Sequence, residues 1–174
     1  MAVNYKSILK NISTLIFDVD GVFTDNHVIL IPGMEPVRTF SARDGYALQY
    51  AIKKGLRLVI MTGGKSESVV ERLSFMGLTD IYTGVRNKEN KLKEFVKESK
   101  IPLEEILYMG DDIPDLKVME AVGLASCPQD AVREVKSICN YVSPFKGGNG
   151  CVRDIIEQTL KVQGKWLDDD AHEW

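Results

Sequence analysis

Three aspartates crowd the segment TLIFDVDGVFTD, residues 14–25, directly behind a short run of β-forming residues. Asp18 and Asp20 both follow the end of this predicted strand, two positions apart. Aspartates in such a place are often ordinary turn residues that face water. They can also hold a divalent cation, which prefers hard oxygen ligands, and attack phosphorus to give an aspartyl-phosphate. The pair by itself is compatible with both interpretations.

Further polar residues follow other predicted strands of the chain. Thr62 comes directly after RLVIM, the GDD of residues 110–112 comes after EILYM, and Lys88 follows the weaker strand DIYTG. In a parallel sheet, ligands bind beyond the carboxyl ends of the strands. We therefore expect these groups at the same sheet edge as Asp18 and Asp20.

These residue types suit phosphoryl transfer. Mg²⁺ takes one or two carboxylates together with waters and phosphate oxygens, and Asp18, Asp111 and the main-chain carbonyl of Asp20 can supply such oxygens. Asp18 can act as the nucleophile, and Asp20 can donate a proton to the leaving group. Thr62 and Lys88 would contact the transferring phosphoryl oxygens and stabilise their charge.

Three neighbouring residues complete this hypothesis. Gly63 is expected to join Thr62 in binding the phosphoryl group. Asp112 and Asp115 are expected to lie behind the metal ligands, where they would hold Lys88 or a metal-bound water in place. Taken alone, Thr62 before two glycines is ordinary turn chemistry. Its position between two aspartate motifs gives it the functional interpretation.

The hydrophobic pattern alternates between short strands and amphipathic helices. Apolar runs predict buried strands at 13–17, 57–61, 80–84, 105–109, 123–126 and 139–142. Helical periodicity predicts helices at 45–55, 66–77, 90–100, 113–123, 129–136 and 150–162. This alternation predicts an α/β fold, a doubly wound and mostly parallel Rossmann-like sheet, within a single domain of residues 1–174.

Two segments depart from the alternation. Residues 27–41 contain two apolar stretches around PGMEP, which predicts a β-hairpin flap directly after the aspartates. Residues 165–174 are acidic, and we expect a mobile tail there. The stretches between the motifs are filled by the hairpin, helices and strands, so no cap domain is expected.

Composition excludes several classes of protein. The net charge is −3 and the basic residues are scattered, so no nucleic-acid partner is expected. The apolar runs are far shorter than the about 20 residues of a membrane span, which predicts no membrane partner. The three cysteines form no CxxC pair. We expect reduced thiols and a cytoplasmic location.

Four motifs follow one another along the chain in an order that resembles a known superfamily. FDVDGVFTD, MTGG, the Asn-Lys at 87–88 and GDDIPD resemble the ordered motifs of the haloacid dehalogenase superfamily of phosphohydrolases, and the resemblance covers nearly the whole chain. It implies that Asp18 is the nucleophile and Asp20 the acid/base. It also implies a Mg²⁺ ion bound by Asp18, the Asp20 carbonyl and Asp111.

Within that superfamily the chain resembles a capless subgroup that acts on sugar-acid phosphates. FSARDGYALQYA and GGNGCVRDIIEQTLKVQGKW are similar to two further segments of the subgroup. The resemblance implies a homotetramer in which flap and tail meet a neighbouring subunit's site. It also makes Arg43, Asp44 and Arg153 candidate contacts to the carboxylate or hydroxyls of the sugar acid, since Arg pairs bidentately with carboxylates.

One difference from the subgroup concerns the substrate. Its members commonly read TGR where this chain reads Thr62-Gly63-Gly64, and Lys65 or Arg86 would have to replace that arginine. The implied substrate is 3-deoxy-D-manno-octulosonate 8-phosphate, a precursor in lipopolysaccharide synthesis. The alternative is the nine-carbon 2-keto-3-deoxynononate 9-phosphate.

Two non-enzymatic interpretations remain open at this point. Receiver domains also accept a phosphoryl group on an aspartate at the edge of a doubly wound sheet, but they lack an acid two residues further on. Asp20 therefore favours an enzyme. A degenerate partner subunit would have no need of the five residues Asp18, Asp20, Thr62, Lys88 and Asp111 together.

Overall fold

The computed structural model describes residues 4–172, in which six strands form one sheet. The strands are β1 (Thr14–Phe17), β2 (Arg57–Met61), β3 (Asp80–Tyr82), β4 (Ile106–Met109), β5 (Leu124–Cys127) and β6 (Tyr141–Val142). They lie in the order β3-β2-β1-β4-β5-β6, and every neighbouring pair is parallel. The predicted doubly wound sheet is confirmed. The direction of winding reverses between β1 and β4, which is where such sheets bind ligands.

Helices connect the strands on both faces of the sheet. They are α1 (Tyr5–Leu9), α2 (Ala42–Lys53), α3 (Glu67–Phe75), α4 (Lys88–Ser99), α5 (Leu116–Ala121), α6 (Arg133–Ile138) and α7 (Cys151–Val162). Short 3₁₀ helices occupy Leu103–Glu105, Ile113–Asp115 and Asp169–His172. Side-chain caps start the helices that follow the site loops: Ser66 accepts from the Val69 amide before α3, and Asn87 accepts from the Asn90 amide before α4.

The hydrophobic core is split by the sheet into two clusters. Leu15 and Phe17 of β1 point into one cluster together with α1, α2 and α7, whereas Ile16 points into the other with α4 and α5. Burial on both faces explains why the strands are continuous apolar runs without a polar alternation. It also fixes their register, and with it the side chains that follow each strand.

Several predicted boundaries shift by a few residues. The helix predicted at 113–123 begins as a 3₁₀ turn that contains Pro114, and α5 starts only at Leu116. The strand predicted at 139–142 shrinks to two residues, because Asn140 occupies the edge of β5. Its side chain accepts from the Ala125 amide at 2.8 Å, and its own amide donates back to Ala125 at 2.9 Å. Helix α1 was not among the predictions.

The flap of residues 27–41 is a hairpin reduced to one antiparallel pair. The amides of Ile29 and Val37 each donate to the other residue's carbonyl at 3.0 Å. Its apolar side chains point outward, and Leu30 is 76% exposed. Residues 4–172 contain no separate cap domain over the sheet edge.

The acidic tail, as far as residue 172, contacts its own chain. Trp166 packs edge-on against Tyr50 of α2 with ring centroids 5.5 Å apart, and Lys54 at the end of α2 pairs with Asp168 at 2.8 Å and with Asp170. The tail therefore docks on its own chain, because α2 offers both an aromatic face and a lysine that complements the acidic run. The last two residues of the chain lie outside the described part.

No helix within residues 4–172 combines the length and the apolar composition that a membrane crossing requires. Cys127, Cys139 and Cys151 are all free thiols.

Candidate active site

Asp18 stands at the centre of the sheet edge. It directly follows β1, and its amide still pairs with Met109 of β4 at 3.0 Å, so its backbone is an extension of the sheet. One carboxylate oxygen accepts from the Val19 amide at 2.7 Å, and the other lies 2.7 Å from Nζ of Lys88. The side chain is held at both oxygens beside the crevice between β1 and β4.

Lys88 joins two carboxylates in the interior. It is the first residue of α4, its side chain is 5% exposed, and Nζ donates to Asp115 at 2.6 Å as well as to Asp18. Asp115, which is 1% exposed, also accepts from the Tyr108 hydroxyl at 2.7 Å and from the Asp111 amide at 3.2 Å. Every oxygen of Asp115 is thus occupied. Its contacts place the Lys88 ammonium beside Asp18.

Asp111 faces Asp18 from the end of β4. Its carboxylate accepts from the side-chain amide of Asn26 at 2.7 Å. Oxygen atoms of Asp18, Asp111 and Asp115 lie within 4.8 Å of one another. Since Asp115 is committed to Lys88 and Tyr108, Asp18 and Asp111 are the two carboxylates that can turn toward a cation.

The electrostatics of this cluster favour a bound cation. Burial and the charge of Asp115 raise the pKa of Asp18 to about 6, although Lys88 opposes the shift. Burial raises the pKa of Asp111 to about 7, with further contributions from the neighbouring carboxylates. Burial disfavours the Lys88 ammonium, but Asp18 and Asp115 outweigh it and raise the pKa of Lys88. Two crowded carboxylates that resist ionisation are what a divalent cation stabilises, so the donor set fits Mg²⁺.

Asp20 lies on the flap side of the site and is bound by a residue that the sequence analysis missed. Nε and Nη2 of Arg38 donate to its two carboxylate oxygens at 2.7 and 3.2 Å. Arg38 comes from the flap, directly after the Ile29–Val37 pair. The fork of the guanidinium fixes the orientation of the Asp20 carboxylate.

Thr62 and the two glycines after it form the third side of the site. The main chain of Thr62 pairs with β3 and its continuation, donating to Tyr82 at 3.0 Å and accepting from Val85 at 2.9 Å. The Thr62 side chain is buried, and its hydroxyl accepts from the Gly64 amide at 3.2 Å. Thr62, Gly63 and Gly64 line the same cavity as Asp18.

A cavity of about 540 Å³ opens above these residues. Its volume lies in the range of small-molecule binding pockets, and it is open to solvent. Its walls are Asp18, Asp20, Thr62, Gly63, Gly64, Val85, Arg86, Asn87, Lys88, Glu89, Ile113, Pro114 and Lys117. The cavity thus contains both proposed catalytic aspartates and three cationic side chains.

Not every predicted site residue reaches this cavity. Arg43, Asp44 and Arg153 do not line it. Asp44 is buried in the fold, where it accepts from the Arg153 amide at 2.8 Å, and the Arg153 guanidinium lies 5.6 Å from the rings of Tyr46 and Trp166.

Asp112 and Lys65 do not line the cavity either. Asp112 caps the 3₁₀ turn Ile113–Asp115 by accepting from the Ile113 amide at 2.8 Å. The Lys65 stem packs against Gly84, whereas Arg86 lines the cavity. Of the two candidates to replace the missing arginine, Arg86 is the one at the cavity wall.

Four contributing residues were missed by the sequence analysis. Arg38 and Asn26 bind Asp20 and Asp111, Tyr108 binds Asp115 from inside β4, and Lys117 lines the cavity. The Tyr108 hydroxyl in an otherwise apolar strand was a usable signal, because a buried hydroxyl needs a polar partner. Arg38 had no local signal, since its partner is fixed by how the flap folds back.

Comparisons with known proteins agree with this geometry. A family model described as haloacid dehalogenase-like hydrolase matches residues 70–155. The 3-deoxy-D-manno-octulosonate 8-phosphate phosphatase KdsC of Escherichia coli (strain K12) is 35% identical over 90% of this chain and 83% of its own length. The chain belongs to the haloacid dehalogenase-like hydrolases. This membership favours the enzymatic interpretation over the receiver and degenerate-subunit alternatives.

Solved structures of haloacid dehalogenase-like hydrolases superimpose closely. A 3-deoxy-D-manno-octulosonate 8-phosphate phosphatase from Yersinia pestis matches with a TM-score of 0.91 and 32% identity, covering 95% of this chain and 89% of that one. The phosphatase of the same name from Moraxella catarrhalis, in complex with magnesium ion, phosphate ion and a KDO molecule, matches with a TM-score of 0.90 and 30% identity, covering 92% of each chain.

Proposed function

We propose that the protein is a Mg²⁺-dependent phosphatase that removes phosphate from 3-deoxy-D-manno-octulosonate 8-phosphate. The observation that carries the proposal is the buried Asp18–Lys88–Asp115 chain beside Asp111, which arranges a nucleophile, a phosphoryl-binding cation and a metal-ligand pair at one crevice. The named activity of the E. coli relative and the KDO-containing complex from M. catarrhalis support the choice of substrate.

In the first step Asp18 attacks the phosphorus atom. Its carboxylate forms the new bond while the ester bond to the sugar's 8-oxygen breaks, and Asp20 gives that oxygen a proton. Lys88, Thr62 and Gly63 hold the phosphoryl oxygens and stabilise their charge. When bound at Asp18, Asp111 and the Asp20 carbonyl, Mg²⁺ offsets the repulsion between the anionic nucleophile and the anionic phosphate.

In the second step water hydrolyses the aspartyl-phosphate. Asp20, now a carboxylate, takes a proton from the water as that water attacks phosphorus. The bond to Asp18 then breaks, and inorganic phosphate leaves. Asp20 ends protonated and Asp18 ionised, ready for another substrate.

Phosphate release tests the proposal directly. The eight-carbon and nine-carbon sugar-acid phosphates are each supplied with Mg²⁺ or with EDTA, and an Asp18→Asn variant serves as the control. We expect a kcat/KM preference for the octulosonate that disappears with chelator, and a loss of about four orders of magnitude or more in Asp18→Asn. Turnover that persists with EDTA or in Asp18→Asn would contradict the mechanism.

The nine-carbon 2-keto-3-deoxynononate 9-phosphate is the second candidate substrate. The observation in its favour is Gly64, which lines the cavity where the subgroup commonly has an arginine, so the contact that this arginine would make to the sugar acid is missing. If the nononate has the higher kcat/KM, the mechanism stands and the substrate assignment changes. Arg43 and Arg153 remain predicted sugar contacts, which a neighbouring subunit would have to bring to a cavity, whereas Asp44 is too deeply buried in its own chain for that role.

We also infer a homotetramer in which the flap contacts a neighbouring subunit. In support, Val28, Ile29, Leu30 and Met34 expose apolar side chains along one short segment, and such patches mark interaction surfaces. The described tail already covers α2 of its own chain. Sedimentation as a monomer at micromolar concentration with full activity would contradict this assembly. The three free thiols agree with a cytoplasmic location, which fractionation of the source cells would test.

A further inference from the structure

The contact between Arg38 and Asp20 is bidentate and partly buried. The Arg38 side chain is 11% exposed and Asp20 is 37% exposed. The third guanidinium nitrogen, Nη1, donates to the Pro36 carbonyl at 3.1 Å, and the hydrogen bonds to Asp20 raise the pKa of Arg38. Within residues 4–172, Arg38 is the one side chain that donates a hydrogen bond to the Asp20 carboxylate.

The flap that carries Arg38 is anchored on both sides of it. Before Arg38, Val37 pairs with Ile29, and the Glu35 carboxylate accepts from the amides of Glu67 and Ser68 at 3.2 Å each, at the start of α3. After Arg38, the Phe40 ring stacks on Phe23 with centroids 5.8 Å apart. These anchors hold Arg38 over the loop that follows β1.

Gly64 shows how close the guanidinium lies to the reacting groups. A Cβ atom built on Gly64 would be 3.4 Å from an Asp20 carboxylate oxygen, 3.6 Å from the Thr62 hydroxyl and 3.8 Å from Nη2 of Arg38. Asp20, Thr62 and Arg38 therefore converge on one point beside the cavity.

We propose that Arg38 is a positioning residue that holds the Asp20 carboxyl group toward the leaving oxygen of the phosphate ester. The inference rests on the proposed phosphatase function, because it assigns a partner to that reaction's proton donor. The flap thereby contributes to the chemical step from within the same chain.

Arg38 in this role neither gives nor takes a proton during the step. As the Asp18–phosphorus bond forms and the ester bond breaks, the proton on Asp20 moves to the departing oxygen. Arg38 keeps its own protons and restricts the rotation of the Asp20 side chain. Without Arg38, Asp20 samples rotamers in which its proton does not reach that oxygen, so esters with poor leaving groups lose most.

A series of substituted phenyl phosphates tests the inference. Their kcat/KM values report the steps up to loss of the phenol, and the leaving group varies while no sugar is present. We expect Arg38→Gln to lower kcat/KM about 10- to 100-fold for phenyl phosphate and less than about threefold for 2,4-dinitrophenyl phosphate. The dependence on leaving-group basicity becomes steeper, whereas Arg38→Lys, which keeps the charge but not the fork, gives an intermediate slope.

Two comparisons separate positioning from other roles. Asp20→Asn is expected to give the same steep dependence, and adding Arg38→Gln to it should change the slope no further, since both act on one proton transfer. Arg57→Gln is the matched control. It removes an arginine–aspartate bond of the same 2.7 Å length, from Arg57 at the start of β2 to Asp80 at the start of β3, and should leave the slope unchanged.

The remaining outcomes overturn the inference. If Arg38→Gln lowers kcat/KM by the same factor for all esters, Arg38 binds the phosphoryl group. If it lowers kcat/KM for the sugar-acid phosphate alone, Arg38 binds the sugar. An unchanged slope in a folded, active variant refutes the inference and leaves the proposed function intact. If the wild-type protein hydrolyses no ester in the presence of Mg²⁺, the proposed function fails as well.

Discussion

The sheet edge and the flap bring charged groups to the same cavity, but they hold those groups in different ways. At the sheet edge, Lys88 and Asp115 are almost completely buried and are bound from several directions. The flap carries Arg38 on a segment with one antiparallel pair and an exposed apolar surface. A few polar and aromatic anchors replace the core there.

This difference separates two functions of the site. Under the proposed mechanism, the groups that must not move are Asp18 and Lys88, and they follow strands whose register is fixed by burial on both faces. Arg38, which is proposed to orient Asp20, is carried by a flap that has one antiparallel pair and an exposed apolar surface. Substitutions in the two regions should therefore have different effects on activity and on stability.

Removing the lysine of the sheet edge should have the largest effect. We expect Lys88→Met to lower kcat/KM for the sugar-acid phosphate by about 10² to 10³, because the phosphoryl oxygens lose a fixed cation. It should also lower Tm, because Asp18 and Asp115 are left without their common counter-charge.

The matched control is Lys91→Met on the next turn of α4. Lys91 pairs with the exposed Glu94 at 3.1 Å, so activity and Tm should stay near wild type. Steady-state kinetics and thermal unfolding check both variants. A loss in Lys91→Met as large as that in Lys88→Met would contradict the assignment of the phosphoryl-binding lysine.

The same truncation should lower the free energy of unfolding by different amounts in the two regions. Ile60→Ala in β2 removes a fully buried side chain, and we expect a loss of about 2–5 kcal/mol in the free energy of unfolding. Ile29→Ala in the flap removes a side chain that is mostly exposed within one chain. There we expect less than about 0.5 kcal/mol at concentrations where the protein is dissociated.

Urea unfolding measures both losses, and sedimentation adds the oligomeric state. Under the proposed assembly, Ile29→Ala weakens the tetramer whereas Ile60→Ala weakens the fold. Equal losses of unfolding free energy in the two variants would contradict the expectation that the strands are packed more tightly than the flap.

The smallest expected effect is a pH dependence of Tm, which arises from the carboxyl groups at the sheet edge. The pKa of Asp18 is raised to about 6 and that of Asp111 to about 7, so between about pH 4 and pH 7 the folded state binds more protons than the unfolded state. Stability in EDTA must therefore fall as pH rises through this window. We expect Tm to drop by a few degrees, on the order of 5 °C, between pH 5 and pH 8.

Mg²⁺ should abolish this drop, because it binds the ionised carboxylates and stabilises the folded state. Asp111→Asn is the control, since it removes one of the two raised carboxyl groups and should flatten the profile in EDTA. A Tm in EDTA that rises from pH 5 to pH 8 would show that the carboxylates are not destabilised by their surroundings.

Local patterns predicted the sheet and most of the site. The apolar runs of the strands, the capping residues Ser66 and Asn87, and the residues that follow strand ends are readable because each depends on a few neighbouring positions. Asp18, Thr62, Lys88 and Asp111 were placed at one edge by strand-end position alone. The short β6 and the 3₁₀ turn before α5 were not predicted, because neither the pairing of Asn140 with Ala125 nor the presence of Pro114 in the first turn changes the hydrophobic periodicity.

The residue types and their order along the chain predict the chemistry: two aspartates after one strand, a threonine, a lysine and a second aspartate motif are the groups that a metal-assisted phosphoryl transfer requires. The partners that orient those groups are visible in the fold and not in the sequence. Arg38 meets Asp20, Asn26 meets Asp111, Tyr108 meets Asp115, and the tail meets α2. The reason is physical. Strand-end positions follow from periodicity along the chain, whereas these contacts depend on loops that fold back in space and leave no periodic signal.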